Sequence, residues 1–305
     1  MKLRFVLAVA LVAALAIPSL LAAQSDQILH PSLRPVTLKF RTIDIPSDES
    51  TQIYAVNNNN QGAGIYIDST GLQHGMLIQR NQVTMLDDPQ ATPGTTFCFG
   101  INDSGVVVGY YTNVGGFEVG FEYQDGTFTD VRPFVSPYVQ IYGINNAGVI
   151  TGTYYDAVAK FWNAFYGSGT SFTSFTVPGG GYYVYGSAIN NAGLIVVGYF
   201  VDANSRVYMA DLYNPTTGVF TPINVPGAAQ TYVNGINDKN HIVYTWEDAS
   251  GKHGEVLANG TFYEFDDPDG TDTAGDGIND NDIIVGTFLP TGDTQRQSFV
   301  ATPQP

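Results

Sequence analysis

Short apolar runs return along the chain at a near-constant interval, each opened by a polar turn and most closed by glycine. Val106-Val107-Val108, Val149-Ile150, Leu194-Ile195-Val196-Val197, Ile242-Val243 and Ile283-Ile284-Val285 are the clearest. Runs this short, apolar on successive residues, predict strands covered on both faces. They end at Gly64, Gly109, Gly152, Gly198 and Gly286, with an aromatic residue close behind; the fifth copy departs from the pattern with Tyr244. A third strand follows a variable loop, as at Gly120-Phe121-Glu122-Tyr123 and Ala164-Phe165-Tyr166. A tight turn such as Gln124-Asp125-Gly126 then leads into a fourth, as at 128–131 and 262–265. The predicted unit is a four-stranded antiparallel sheet.

The turn that opens each run sets the number of units. Its fullest form is Gly143-Ile144-Asn145-Asn146-Ala147-Gly148, and its first Asn recurs at Asn57, Asn102, Asn145, Asn190, Asn237 and Asn279, 42 to 47 residues apart. Three residues later stand Asn60, Gly105, Gly148, Gly193, Asn240 and Asp282, all of types that tolerate positive φ. An Asn that opens such a loop bonds backbone amides two residues on, so the six are read as structural hairpin residues rather than as ligand groups. Two residues before each Asn lies Ala or Gly, small enough for close backbone approach. Six units apolar on both faces are best buried by radial stacking, which predicts an all-β fold, a six-bladed β-propeller. The sixth unit reaches Ser298-Phe299-Val300-Ala301 and then lacks a fourth strand. Residues 39–45 match that missing strand in kind and precede the first motif, so an N-terminal strand is expected to complete the last blade and close the ring.

The pattern Gly-Ile-Asn-Asn-x-Gly-x-Ile-x-Gly-x-Tyr, followed by a Gly-Phe-x-Tyr strand, Phe-Thr and a closing Val-Pro-Gly, resembles the HAF family of bacterial extracellular repeats. The resemblance covers nearly all of the chain beyond its first residues. The His-Ala-Phe triplet that names the family has drifted here: Asn163-Ala164-Phe165 keeps two residues, His74-Gly75-Met76 and His253-Gly254-Glu255 keep the His, and Gln297-Ser298-Phe299 keeps the Phe. The resemblance implies secretion and a repeat fold, and it carries no established activity.

Composition narrows the partners. The 305 residues hold 12 Lys and Arg against 28 Asp and Glu, a net charge of −16. An acidic balance of this size argues against nucleic acid, whose binding needs basic side chains to release counterions. Residues 1–23 read as a secretory signal peptide: Lys2 and Arg4, an apolar run from Phe5 to Ile17, and small residues before a cut after Ala23. A linker is expected over 24–35 and the propeller over 36–305, with no membrane span once the leader is removed. The expected location is therefore secreted, extracellular or periplasmic. Cys98 is the single cysteine, which rules out an internal disulfide and points to a buried strand position.

Candidate chemistry gathers on one face. Connections from second to third strand and from one unit to the next are longer and more varied than the hairpins, and both emerge opposite the Asn turns. Binding sites accumulate on such loops. Tyr138, Tyr142, Tyr182, Tyr185, Tyr232, Trp162 and Trp246 are the candidates there, able to stack on sugar rings or grip a peptide. The expected partner is an extracellular glycan or protein. Acidic residues at 266–276 make Asp267, Asp269 and Asp272 candidate ligands for Ca2+, the only cofactor considered. No catalytic motif is found. The alternatives are a glycan hydrolase or lyase using a pair among Glu118, Glu247 and Glu255, or a purely structural envelope or matrix protein.

Overall fold

The computed structural model describes residues 37–43, 48–80, 82–200, 202, 204, 207–223, 225 and 228–304. The leader and the linker expected at 1–35 lie outside the described residues. Within them every regular element is a strand and none is a helix. No described helix is long and apolar enough to cross a membrane.

The strands form a β-propeller arrangement of antiparallel sheets. Asp48–Val56, Gln61–Asp68, Gln73–Gln79 and Gln82–Met85 pair in chain order as one four-stranded sheet. Ala91–Ile101, Val107–Asn113, Glu118–Gln124 and Thr127–Val131 make a second, and Gln230–Ile236, Ile242–Asp248, Gly251–Ala258 and Thr261–Phe265 another. Between them lies an eight-stranded sheet. Its halves, Val139–Ile144 to Ser171–Phe175 and Tyr183–Ile189 to Val219–Pro222, are each antiparallel and meet through one parallel bridge, Trp162 to Tyr183. The last sheet combines distant segments: Gly270–Ile278, Ile284–Pro290 and Gln297–Pro303 are completed by Leu38–Ile43, which pairs from Leu38 opposite Pro303 to Ile43 opposite Ser298.

The core lies between sheets, which is why consecutive residues are apolar. Val107 packs with Ala63 and Leu86 of the preceding sheet, whereas Val108 packs with Ile141 and Phe165 of the following one. The same division separates Val196 from Val197 and Ile284 from Val285. Val285 and Ile43 meet Ile53, Met76 and Ile78 of the first sheet, so the last sheet packs against the first. Each fully buried aliphatic side chain contributes about 1.5–3 kcal/mol through burial, and strands with two such faces are held from both sides. Cys98 is fully buried in one of these layers, and burial pushes its thiol pKa up.

First strands crowd together at the centre of the ring. A Cβ added at Gly143 would lie 2.8 Å from Ala188 Cα of the next first strand. That approach accounts for the invariably small residue two places before each motif Asn.

Candidate binding site

The motif Asn residues do two jobs at once. The Asn145 Oδ1 accepts N–H groups from Ala147 and Val149, both at 3.0 Å, which fixes the hairpin. Its Nδ2 meanwhile donates to the Asn190 carbonyl of the next unit at 3.1 Å. The inter-unit bond repeats from Asn57 to Asn102, Asn102 to Asn145, Asn190 to Asn237 and Asn237 to Asn279, and Asn279 returns to the Asn57 carbonyl at 3.0 Å. A second cycle runs beside the first. The backbone N–H groups of Asn58, Asp103, Asn146, Asn191, Asp238 and Asp280 each donate to the side chain of the following member, at 2.8–2.9 Å. Asn60, Gly105, Gly148, Gly193, Asn240 and Asp282 all have positive φ, from 56 to 79°. Both ends of the motif amides are therefore engaged within the protein, leaving none to present to a ligand. Loss of the buried Asn145 amide removes three bonds, so Asn145→Ala is expected to cost about 2 kcal/mol, measured as a lower urea midpoint at unchanged m-value.

On the other side of these cycles the first strands enclose a central cavity of about 420 Å³. Its floor is the ring of Val56, Ile101, Ile144, Ile189, Ile236 and Ile278, the residues just before each motif Asn. Above the floor, every first strand carries a β-bulge between the residues four and two places before its Asn, for example Ile53/Ala55 and Gly275/Gly277. The extra residue of each bulge lines the cavity: Tyr54, Phe99, Tyr142, Ser187, Asn234 and Asp276. A bulge aims one side chain away from the regular alternation of its strand. The result is a lopsided ring, with three aromatics from consecutive strands facing three polar residues.

Aromatic contacts make the first wall continuous. Tyr54 stacks on Phe99 at 4.8 Å, Phe99 meets Tyr142 edge-on at 5.1 Å, and Tyr142 meets Tyr185 at 5.8 Å. Gln side chains orient the phenols: Tyr54 Oη donates to Gln52 Oε1 at 2.6 Å, and the Tyr142 and Tyr183 hydroxyls both donate to Gln140 Oε1. Burial raises these phenols, Tyr183 to about 12 and Tyr142 and Tyr185 further, so they are neutral hydrogen-bonding groups at ordinary pH. Tyr208 and Tyr232, 4.7 Å apart, carry the aromatic surface toward the polar side, and Lys252 holds its ammonium 5.7 Å from the Tyr232 ring centre.

The polar wall is joined through backbone. Ser187 Oγ donates to the Asn234 carbonyl at 3.1 Å and Asn234 Nδ2 to the Gly275 carbonyl at 2.6 Å. Asp276 completes it differently, because its Oδ2 is enclosed and has no hydrogen-bond partner. Burial pushes this carboxyl up to about 7, with Arg296 and Lys252 acting against the shift at a distance.

The sequence candidates divide accordingly. Tyr142, Tyr185 and Tyr232 line the cavity. Tyr138 and Trp162 lie 6.0 Å apart, with Trp162 5.4 Å from Tyr183, and form an outer aromatic patch beside it. Tyr182 is 46% exposed and leans on Phe200. Trp246 does not reach the site: it is buried in the layer between two sheets and stacks on His253 at 4.6 Å, because its strand position faces the neighbouring sheet. Tyr54, Phe99, Tyr208 and Asp276 were not among the candidates. Their common signal for three of the four is the place three residues before a motif Asn.

Asp267 and Asp272, two of the three candidate cation ligands, bond different partners. Asp267 Oδ1 accepts the Asp269 N–H at 2.9 Å within its own turn, whereas Asp272 Oδ1 accepts the Lys252 N–H at 3.1 Å from a strand of the neighbouring sheet. Among the described residues the one trio with ligand atoms mutually within 4.8 Å is His253, Glu264 and Asp266. His253 Nδ1 lies 3.2 Å from Asp266 and its Nε2 3.0 Å from Ser250 Oγ. His74 sits in the same way, 2.7 Å from Asp87 and 3.3 Å from Asp68, stacked on Tyr66. Burial lowers the His74 pKa, but bonds to Asp87 and Asp68 raise it on balance. The two histidines thus tie the turn between second and third strands to the segment just after the fourth. Asp68, Asn113, Asp156 and Asp248 open those loops by accepting the backbone N–H two residues on. Of the glutamates weighed for catalysis, Glu255 is buried at 2% exposure and Glu118 Oε2 accepts from Gln140 Nε2 at 2.7 Å.

No family model matches the chain, and no curated protein does. Solved structures with a similar fold are propellers of several kinds. SapL1 lectin in complex with α-methyl fucoside matches with a TM-score of 0.53 at 11% identity, over 85% of this chain and 94% of that one. Virginiamycin B lyase from Staphylococcus aureus matches at 0.51 and 13%, over 88% of this chain and 100% of that one. A protein proposed to be a gluconolactonase matches at 0.51 and 12%, over 89% and 94%. At these identities the likeness establishes the propeller fold and nothing about the ligand.

Proposed function

We propose that this chain is an exported, non-catalytic binding propeller of six four-stranded blades, closed by Leu38–Ile43, that takes the end of an extracellular glycan in its central cavity. The cavity carries the reading. It has an aromatic wall and a hydrogen-bonding wall, and it lies in a channel on the side away from the Asn turns, stopped at its other end by the two Asn and Asp cycles. A pyranose presents an apolar C–H face and a hydroxyl edge, and such a two-sided site suits it. The six-blade count draws support from the six-membered amide cycle and from the single bridge that joins the halves of the eight-stranded sheet. The leader supports export, and the Gly-Ile-Asn-Asn repeats support a place among the HAF extracellular repeats. A propeller lectin holding a fucoside is among the similar structures, in agreement with the reading at the level of fold.

A glycan array probed with the protein lacking residues 1–23 tests this. Selective hits that disappear in Tyr142→Ala and Phe99→Ala are expected. Hits that survive both substitutions would move the site to the Tyr138 and Trp162 patch, and depletion of a hit over time would replace binding by catalysis.

A further inference from the structure

We infer that the glycan taken by the central cavity carries a free amino group, whose ammonium pairs with Asp276 while the sugar face rests on the Tyr54, Phe99 and Tyr142 wall. The inference rests on the binding reading above and narrows its ligand class to amino sugars. Three observations carry it. First, Asp276 lines the cavity, and its Oδ2 is enclosed without a donor, an arrangement that a charged donor brought to this side chain relieves. Second, the protein's own cations leave the place open: the Arg296 guanidinium bonds the Asp272 carbonyl and Thr287, and Lys252 stands over Tyr232. Third, Lys252 over Tyr232 shows that these phenol faces accept an ammonium, as expected for rings whose negative faces line an enclosure. A neutral sugar would meet the aromatic wall equally well but would leave Asp276 with a weaker, uncharged donor.

The three alternatives that the cavity chemistry admits separate in one calorimetric series on the protein lacking residues 1–23. The probes are D-glucosamine, D-galactosamine, their N-acetyl derivatives and choline, at pH 7.5. Binding of at least one free amino sugar about tenfold or more tighter than its N-acetyl form is expected. Asp276→Asn is expected to erase that difference, and Phe99→Leu to weaken both forms together. An N-acetyl sugar that binds as well as its free amine, in wild type and Asp276→Asn alike, overturns the ammonium inference and leaves the glycan reading standing. Choline binding without any sugar binding overturns the glycan reading. Silence from all five probes at millimolar concentration overturns the inference, while array hits lost in Tyr142→Ala would still uphold the cavity as a glycan site.

Discussion

Gly109→Ala is expected to be the most damaging methyl addition among the described glycines, at about 3–5 kcal/mol. A Cβ at Gly109 would stand 1.8 Å from the Phe97 carbonyl oxygen, 2.9 Å from its carbon and 3.0 Å from Phe121 Cζ. The obstruction is backbone, so no rotamer change relieves it. It arises from the bulge at Phe99, whose register shift lies between Cys98 and Gly100, directly beside the Cys98–Gly109 pair. Gly64, Gly152 and Gly286 meet the same obstruction at 2.0 Å from Gln52, Gln140 and Ala274 oxygens. Gly198 provides the contrast, because there the nearest atoms belong to the Tyr185 ring at 2.2 Å. That ring borders the cavity and can turn, so Gly198→Ala is expected to cost about 1–2 kcal/mol. Urea melts of the two variants check the argument, and equal midpoints would contradict it.

Asp276→Asn is expected to act in the opposite direction and to stabilise the unliganded protein at alkaline pH. Asp276 binds its proton more tightly in the fold, with a pKa pushed up to about 7 from a usual value of 3.8. When the folded state holds the extra proton, stability falls as pH rises between the two values. The penalty is absent below pH 4 and complete above pH 7. Its ceiling is about 4 kcal/mol, less what an unpaired amide costs in the same place, leaving about 2–3 kcal/mol. Thermal melts should therefore place the variant about 5–10 °C above the parent at pH 8 and about 2–6 °C below it at pH 4, where the ionisation penalty is gone and the cost of the amide remains. The buried Tyr54 phenol beside this carboxyl is held well above that window by burial and by the Asp276 charge itself, and Arg296 and Lys252 lower the Asp276 pKa from a distance. Curves that track each other from pH 4 to pH 8 would refute the assignment. In the proposed reading, the ammonium of a ligand offsets this cost.

Much of the architecture could be read from local chemistry. The adjacent valines at 107 and 108 announced two covered faces, and the structure divides them between two layers. The all-β propeller followed from that. The Asn turns were legible as turns, but half of each amide's role was not, since nothing in a hairpin signature reveals a bond to a carbonyl more than forty residues away. Cavity residues were harder still. Tyr54 and Phe99 occupy strand positions whose alternation reads the same whether the side chain meets a neighbouring sheet or an open channel. Only the bulge, a property of the pairing, turns them inward. Trp246 misled for the converse reason: it sits near the loop ends, yet its pleat faces the preceding sheet. Asp267 and Asp272 are close in sequence, but one carboxylate bonds within its own turn and the other bonds the neighbouring sheet.

The return of the Asn279 amide to the Asn57 carbonyl has a bearing on how the protein comes apart. A linear array of repeats frays from its outermost members, which lack one neighbour, and loses structure in stages. A closed cycle of donors and acceptors has no outermost member. Opening it anywhere exposes two rims together, so the first step of denaturation is steep and the later steps run downhill. Persistence among proteases that act on locally opened segments is then governed by the rate of that first breach rather than by the strength of any one repeat.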